Sequence, residues 1–579
     1  MIRLSLVNVR QCYLLVLIAS VSTCAISVTA QVVPDAGSIQ RDLAAPQVVP
    51  SPQFESAPIP ESNETPQSSG AQFTVDEFVV SGVSLLSAAE VDEALSPWLG
   101  RELYFSELQQ ALDAVNLLYA DNGWLARTQF PVQDVADGRV MVEVLEARFG
   151  RLATESAEDL PISASRVFKT LMPHMSNSEM LSVEGLNLGL NQLNRLPGVS
   201  LQAALAAGEQ DGSIDILISS ASASMFTGSV LLDNWGHAST GSERLSLNFN
   251  INNPRHSGDQ LSVNLMSSEA VHYGRLGYSV PLGYAGARLS VGASQLEYKL
   301  IGDFAILQSL GDANTFTAEV TRPLLSSASS GVTLALGYSS SNYLNEANGT
   351  VVSEKSLQAS SLSVYGYWLS DSLSPSLSPN LSPSLTQWSI GLNAGDLDLS
   401  DNLDNQQADA EGLRAAGSFE KLNLSLSHIK PLSQNSKLIV SLAGQYAGKN
   451  LDSSQKFSLG GPRGMRAHPS SEGAGDDGLM LNIELETVLS PGTKLSVFYD
   501  TSEIRLSKDP IASGLATPNK YSLRGWGVTA SRTFGRSSAL KLTLGRRIGG
   551  NPAASETTGN DNDGTLKENR LWLNWVSNF

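Results

Sequence analysis

Cysteine is almost missing from this chain: of 579 residues only Cys12 and Cys24 are cysteines. Both precede Ala30, so a chain cleaved there has no disulfide, no thiol nucleophile and no thiolate metal site. Long apolar runs are missing too. Beyond the N-terminus no window approaches the roughly 18 uninterrupted apolar residues of a spanning helix, so a membrane crossing has to be made by strands. Charge is scarce, at 16% Asp, Glu, Lys and Arg, where about 25% is usual. The formal net charge of -19 argues against a nucleic-acid partner. Catalytic signatures are absent as well: no G-x-S-x-G, no phosphate loop ending in Gly-Lys-Ser/Thr, no H-E-x-x-H. The histidines His174, His237, His256, His272, His428 and His468 are far apart. Glu484 and Glu486 share a strand face, but isolated acid pairs are common where strands face water. No catalytic residue, metal ligand or cofactor is therefore expected, and an enzyme is not the reading.

The N-terminus has the order of a secretory signal, expected over 1–30. Arg3 and Arg10 give the basic region, Tyr13 to Val21 the apolar region, and Val28-Thr29-Ala30 a small-residue cleavage site. An anchor helix is the alternative, but the apolar run is short. A lipidated Cys24 is disfavoured because Val21-Ser22-Thr23 lacks the small residue expected before it. Losing Arg3 and Arg10, with no acid in the segment, takes the charge from -19 to -21. Residues 31–71 are rich in Pro, Ser, Gln and Ala and read as a linker. Within it Ser38 to Leu43 has the composition for a turn of helix, without anything that demands one.

Residues 72–147 read as a small α+β module. A strand around Phe78-Val79-Val80 closes at Gly82, and Ser87 with Glu90 forms a capping box for a helix ending at Gly100. Ser106 with Gln109 is the second such box, opening a helix with Leu108, Leu112, Val115 and Tyr119 on one stripe. Two strands follow, Leu125 to Phe130 and Arg139 to Leu145. Residues 148–222 repeat the order: strand Arg148 to Ala153, helices Ala164 to Leu171 and Val183 to Leu196, strands Ser200 to Ala206 and Ser213 to Ser219. One larger α+β domain is the alternative to two tandem modules.

From 223 to 579 helical periodicity gives way to alternation. Leu245, Leu247, Phe249 and Ile251 face one way while Arg244, Ser246, Asn248 and Asn250 face the other. The pattern recurs in segments of eight to ten residues, with Leu422/Leu424/Leu426 and Leu540/Leu542/Leu544 among the later examples. Such strands suit an antiparallel transmembrane β-barrel with a wet lumen, and at about 22 residues per strand and loop the length gives about 16 strands. A soluble β-helix or sandwich is the alternative. Against it stand the export signal and the last strand, where Leu571, Leu573, Trp575 and Phe579 share a face. The aromatics Trp572, Trp575 and Phe579 are the expected barrel-assembly signal. Ser372 to Ser384 repeats Ser-Leu-Ser-Pro and is expected as a long surface loop. Asp561-x-Asp563-Gly564 falls out of register for a calcium loop and reads as a polar turn with room for a weakly held cation.

One stretch breaks the strand pattern. Phe457 to Glu486 opens on Gly460-Gly461-Pro462, carries Arg463 and Arg466, and only then becomes a strand. A basic loop between two late strands is placed to lie inside the barrel, and 457–478 is expected as a pore loop.

These features together resemble the outer-membrane transporters of two-partner secretion, the haemolysin secretion/activation (ShlB/FhaC/HecB) type, barrels that carry periplasmic POTRA modules. The resemblance rests on Gly100-Arg101, Gly123, Ala126-Arg127, Pro131, Asp137-Gly138 and Val144-x-Glu146 in the first module. In the barrel it rests on Asp233-Asn234-x-Gly236, Thr240-Gly241-x-x-Arg244, Asn253-Pro254, Gly258-Asp259, Gly549 to Pro552 and Arg570-x-Trp572. It implies that the loop motif, here Gly460, Gly461, Met465, Arg466, Ala467 and His468, folds into the pore. By similarity Arg466 then meets a wall acid, Asp500 in Val497-Phe498-Tyr499-Asp500. The alternative is that Arg466 is an ordinary lumen charge facing water. Ala467 and His468 depart from the family pattern, which often has Gly and an aromatic there. The helix that plugs the pore in some relatives is not evident in 31–71.

The expected function is export of an unfolded exoprotein client from periplasm to cell surface through the outer membrane of a Gram-negative bacterium. Strand addition at the module edges would select the client. The implied partners are that client, outer-membrane lipid and the barrel-assembly machinery. An assembly factor that inserts other barrels is the alternative, and a passive porin would leave the modules unexplained.

Overall fold

The computed structural model describes residues 33–43, 72–133, 137–156, 158–175, 180–210, 212–327, 329–370, 382–510, 518–555 and 558–579. The expected signal, most of the expected linker and most of the Ser-Leu-Ser-Pro repeat lie outside the described residues.

In the first module, helices Ala88–Leu95 and Phe105–Asp121 cover a three-stranded sheet. Glu77–Ser81 runs parallel to Arg139–Glu146, which pairs antiparallel with Ala126–Gln129. The Ser87/Glu90 box forms as expected, the Ser87 amide donating to Glu90 Oε2 at 2.9 Å and the Glu90 amide to Ser87 Oγ at 3.3 Å. The second box is displaced from the expected one. The helix starts at Phe105 because Glu107, not Gln109, reaches back to the Tyr104 amide at 2.8 Å. Its stripe of Leu108, Leu112, Val115 and Tyr119 is buried against Val140, Val142 and Val144, each large side chain contributing about 1.5–3 kcal/mol. Beneath it Tyr119 Oη donates to Glu146 Oε1 at 2.8 Å, and the amides of Ser84 and Leu85 donate to the same oxygen at 2.7 and 2.8 Å. Burial opposes ionisation of Glu146, but the hydrogen bonds from Ser84, Leu85 and Tyr119 outweigh it and hold the carboxyl below its usual range.

Residues 148–220 repeat the plan. Arg148–Thr154 is parallel to Ser213–Ser220, which pairs antiparallel with Leu201–Ala207. Helices Ala164–Met175 and Val183–Asn194 cross closely enough to require glycine. A Cβ at Gly185 would lie 2.2 Å from the His174 carbonyl, and one at Gly189 would lie 2.7 Å from Leu171 Cδ2. This second module seats on two hairpin turns of the barrel. Asn253 Nδ2 donates to the Pro161 carbonyl at 2.6 Å, Arg166 Nη1 to that of Gly283 at 2.8 Å, and Gln192 Nε2 to that of Tyr284 at 2.6 Å.

Sixteen antiparallel strands, from Phe226–Asp233 to Asn569–Asn578, close into a barrel in chain order. The alternation sorts the faces as expected. Leu245, Leu265, Leu544 and Leu571 are exposed on the outer wall. Inside, polar side chains bond across neighbouring strands: Asn264 to Asn248 at 2.8 Å, Asn393 to Asn423 at 2.9 Å, and Asn423 to Gln445 at 2.9 Å. An apolar wall outside and a hydrogen-bonded polar wall inside is the transmembrane arrangement. Several strands outgrow the expected eight to ten residues, Thr350–Ser370 having 21. About 9–11 residues suffice to cross a bilayer, so these strands continue past it.

The helix Ala36–Leu43 lies inside the barrel, at the end away from the modules. It contains Ser38 to Leu43, the turn of helix that the composition allows, and supplies a luminal helix that was not evident in 31–71. The Asp35 carboxylate caps it, accepting from the Ser38 amide at 2.8 Å, and Ala36 and Ile39 join a luminal apolar cluster with Leu296, Tyr298 and Leu357. Gly37 permits the seat, since a Cβ there would lie 3.0 Å from Ser453 Oγ. Eight residues are too few to hold a helix by propensity alone; the lumen supplies the stability, and so the local sequence does not announce it.

Candidate functional site

The segment between strands Ser436–Ala447 and Asp477–Ser490 folds back into the barrel mouth. A short hairpin, Phe457–Ser458 with Ala474–Gly475, closes its base. Above it the Gly460 amide donates to the Glu472 carbonyl at 2.8 Å, and the Met465 amide to the Leu459 carbonyl at 2.8 Å. Gly460 is obligatory, because a Cβ would fall 2.0 Å from the Pro469 carbonyl oxygen, and Gly461 has φ +107°. Met465 is buried with Leu459, Met480, Ile504 and Leu523, fastening the loop to the wall by packing.

Arg466 and Asp500 form a two-pronged pair. Nε donates to Oδ2 at 3.0 Å and Nη2 to Oδ1 at 2.8 Å, and the Arg466 amide adds a third bond to Oδ2 at 3.1 Å. Asp500 is fully buried and also accepts from Asn482 Nδ2 at 2.8 Å. The third guanidinium nitrogen, Nη1, pairs with Glu484, and the guanidinium carbon lies 3.5 Å from the centre of the Phe498 ring. A planar cation with two acids and an aromatic face is held in position and in angle.

Sequence reading missed several members of this site. Glu484 was noticed only as half of a possible acid pair with Glu486, yet it alone turns to the arginine; Glu486 instead pairs with Lys437 at 3.1 Å and Lys494 at 3.4 Å. The floor under the tip is made of glycines. A Cβ at Gly525 would lie 2.5 Å from Ala467 Cβ, one at Gly545 2.6 Å from the Arg466 carbonyl, and one at Gly527 2.5 Å from the Phe498 ring. The spacing Gly525-x-Gly527 within a strand was the available signal, since strand glycines mark close approach. It also accounts for Ala467: the methyl fits because the wall opposite has none. His468 is buried, with Nε2 3.4 Å from the Arg524 carbonyl, where a larger aromatic would meet the same wall.

Trp572 needs correcting. Grouped with Trp575 and Phe579 in the assembly signal, it instead faces the lumen, and its Nε1 donates to the Arg466 carbonyl at 2.7 Å. Trp575 and Phe579 are on the outer wall, and the Phe579 ring lies 6.5 Å from that of Phe249. Arg463, the other base of the loop, is on the exposed side with its guanidinium 5.3 Å from the centre of the Trp235 ring. The Asp561-x-Asp563 turn holds cations of the protein's own. Arg547 grips Asp561 at 2.9 and 2.7 Å, and Arg570 bridges Asp561 at 2.9 Å and Asp563 at 2.7 Å.

The loop also touches the luminal helix, Ser471 Oγ donating to the Asp42 carboxylate. At the helix start, Lys355 Nζ joins Asp35 at 3.0 Å and Asp452 at 2.6 Å, and in its last turn Arg41 Nη1 donates to the Ser453 carbonyl at 2.7 Å. Helix, loop and wall form one hydrogen-bonded body across the barrel mouth. Such a body fixes the position of the loop, and Lys355 and Arg466 are each met by two acids.

The family model for the haemolysin secretion/activation protein ShlB/FhaC/HecB matches residues 212–519, over half of the chain, and that for the ShlB-type POTRA domain matches 73–147. The chain is similar to the heme/hemopexin transporter protein HuxB of Haemophilus influenzae (strain 86-028NP), with 24% identity over 94% of this chain and 95% of that one. It is 31% identical to the outer membrane transporter CdiB of Escherichia coli O6:K15:H31 (strain 536 / UPEC) over 37% of each chain. Among solved structures, CdiB from Escherichia coli superposes with TM-score 0.60 at 21% identity, covering 94% of this chain and 96% of that one. BamA from Haemophilus ducreyi, lacking POTRA domains 1–3, superposes at 0.55 with 13% identity, covering 88% and 100%. With its POTRA domain, its 16-stranded barrel and these matches, the chain belongs to the haemolysin secretion/activation ShlB/FhaC/HecB family, the outer-membrane transporters of two-partner secretion.

Proposed function

We propose that the protein exports an unfolded exoprotein client across the outer membrane, with the modules in the periplasm and the mouth holding Arg466 at the cell surface. The observation that carries this reading is the body inside the barrel, in which the helix Ala36–Leu43 and the loop tip are tied to the wall and to each other. A passive porin has no use for a lumen occupied by its own chain. A transporter does, because its bore must stay shut until a client arrives. Arg466 and Asp500 are the pair that sets the position of the loop within that bore, with Gly460, Gly461, Met465, Ala467 and His468 shaping its tip. Segregation of the modules at the opposite end puts client recognition, by strand addition to a module sheet edge, before the obstruction. No nucleotide site occurs in the sequence, and folding of the client outside would give the passage its direction. Trp575 and Phe579, on the lipid side of the last strand, are the residues offered to the barrel-assembly machinery.

The likeness of the barrel to that of BamA supports a second reading, insertion of other barrels. Two modules and a filled lumen favour export. Expression with the cognate secreted protein in a strain lacking this chain decides between them. Surface delivery that depends on the chain supports export; delivery unchanged by its loss, alongside defective insertion of other barrels, supports assembly.

A further inference from the structure

A closed barrel has one seam where its first strand meets its last. Here that ladder runs from Asn574↔Asp233 to Asn578↔Ser229, five pairs, whereas the strands on either side pair over eight and nine. At the module end the seam is finished by the backbone: Phe579 and Gly228 exchange two bonds of 3.0 Å each. At the mouth the regular pairing stops at Asp233; one backbone bond remains, from the Asn234 amide to the Leu573 carbonyl at 3.3 Å, and a side chain reinforces it. Asn234 acts as one more rung, its Nδ2 donating to the Leu571 carbonyl at 2.9 Å and its Oδ1 accepting from the Leu573 amide at 2.8 Å.

The pore-loop tip then reaches both sides. On the last strand, Trp572 Nε1 donates to the Arg466 carbonyl at 2.7 Å. Just beyond the first strand, Ser470 Oγ donates to the Trp235 carbonyl at 2.8 Å, and the Arg463 guanidinium lies 5.3 Å from the Trp235 ring centre. Residues 463–470 therefore hold the turn leaving the first strand with one group and the last strand with another, while the Arg466 fork ties the same residues to Asp500 on a further strand. Three fixed points, two on strands and one on the turn that leaves the first strand, make a clasp rather than a decoration of one wall.

We infer that the pore loop is the clasp of the barrel seam. Trp572 and Ser470 are its positioning residues, and leaving the seat loosens the mouth-end pairing of the first and last strands. Plugging and seam closure are then one event. This goes beyond transport and does not depend on what is carried.

The test is hydrogen exchange, resolved by mass spectrometry, on the full-length barrel in lipid. Trp572→Phe keeps a ring and removes the donor, and Ser470→Ala removes the opposite donor from a loop residue outside the strands. Each is expected to speed exchange in 569–579 and 226–235 by roughly two- to tenfold, the factor for one neutral hydrogen bond, with 417–447 unchanged. Oxidising a Ser229→Cys/Asn578→Cys pair, the only thiols in the chain after Cys24, should return the seam of either variant to slow exchange. Seam exchange unaltered in both variants, or acceleration spread evenly over all sixteen strands, overturns the inference. Should Trp572→Phe fail to insert, Ser470→Ala decides alone. Export is not read in this experiment, so failure of the transport reading leaves its result intact.

Discussion

Asp500 receives both the side chain and the backbone amide of Arg466, at 2.8 and 3.0 Å from the fork and 3.1 Å from the amide. The fork fixes the angle of the guanidinium, and the amide fixes the height of the chain that carries it. One buried carboxylate thus sets the place of a loop whose base lies on different strands.

Arg466→Ala is expected to abolish export while leaving an inserted, heat-modifiable barrel. It leaves Asp500 buried without its cation, a cost of about 3–5 kcal/mol, met by movement of the loop. Secretion at normal levels would show that the pair has no part in transport. A charge swap of Arg466 with Asp500 should recover part of what either single change loses, and the level of surface client measures it.

Gly525→Val should act through space alone. Its Cβ would fall 2.5 Å from that of Ala467, closer than real carbons approach, so the tip must rise off the wall. Export should drop sharply, and Ala467→Gly in the same chain should restore part of it. Equal secretion by the single and double variants would remove the glycine floor from the explanation.

Lys355→Met should unseat the luminal helix. Asp35 and Asp452 would then share a near-dry site with no cation between them. In planar bilayers the variant should show larger and more frequent open-channel currents than the parent. Gly37→Val should do the same by steric means, and currents unchanged in both would mean that the helix does not block conduction.

The first module should lose stability in acid through Glu146. Its folded carboxyl titrates below the ordinary value of about 4.3, so the unfolded chain binds its proton first as pH falls. The stabilisation is complete above the unfolded value and disappears as pH drops through the folded one. Exchange of the module amides should accelerate between about pH 5 and 3, and Glu146→Gln should flatten that dependence.

The barrel was legible because a two-sided wall writes itself as alternation, residue by residue, in segments such as Arg244 to Ile251. The modules were legible through caps and stripes, with errors of one or two residues where Glu107 out-competed Gln109. The Arg466–Asp500 pair came from motif resemblance and not from pattern. Its surroundings were hidden for a different reason. Glu484, Phe498, Gly525, Gly545 and Trp572 lie on five strands up to 88 positions apart in the sequence, and only closure of the barrel brings them under one loop. Ser38 to Leu43 was legible as a turn of helix, but its place in the lumen was hidden because its stability belongs to the barrel that receives it. Trp572 was misplaced because an aromatic cluster near the C-terminus was read as one signal, whereas alternation separates Trp572 from Trp575.

The luminal helix precedes the modules in the chain yet sits at the opposite end of the barrel from them, and 28 residues lie between Leu43 and Gln72. Leaving the lumen therefore cannot dilute it. Its concentration beside the empty seat is set by a covalent leash, in the millimolar range that short tethers give, and not by how many copies the membrane holds. On the proposed export reading, re-closure would be a first-order event that each molecule performs for itself, at a rate indifferent to expression level, and a client would keep the route open only while its own chain occupied it.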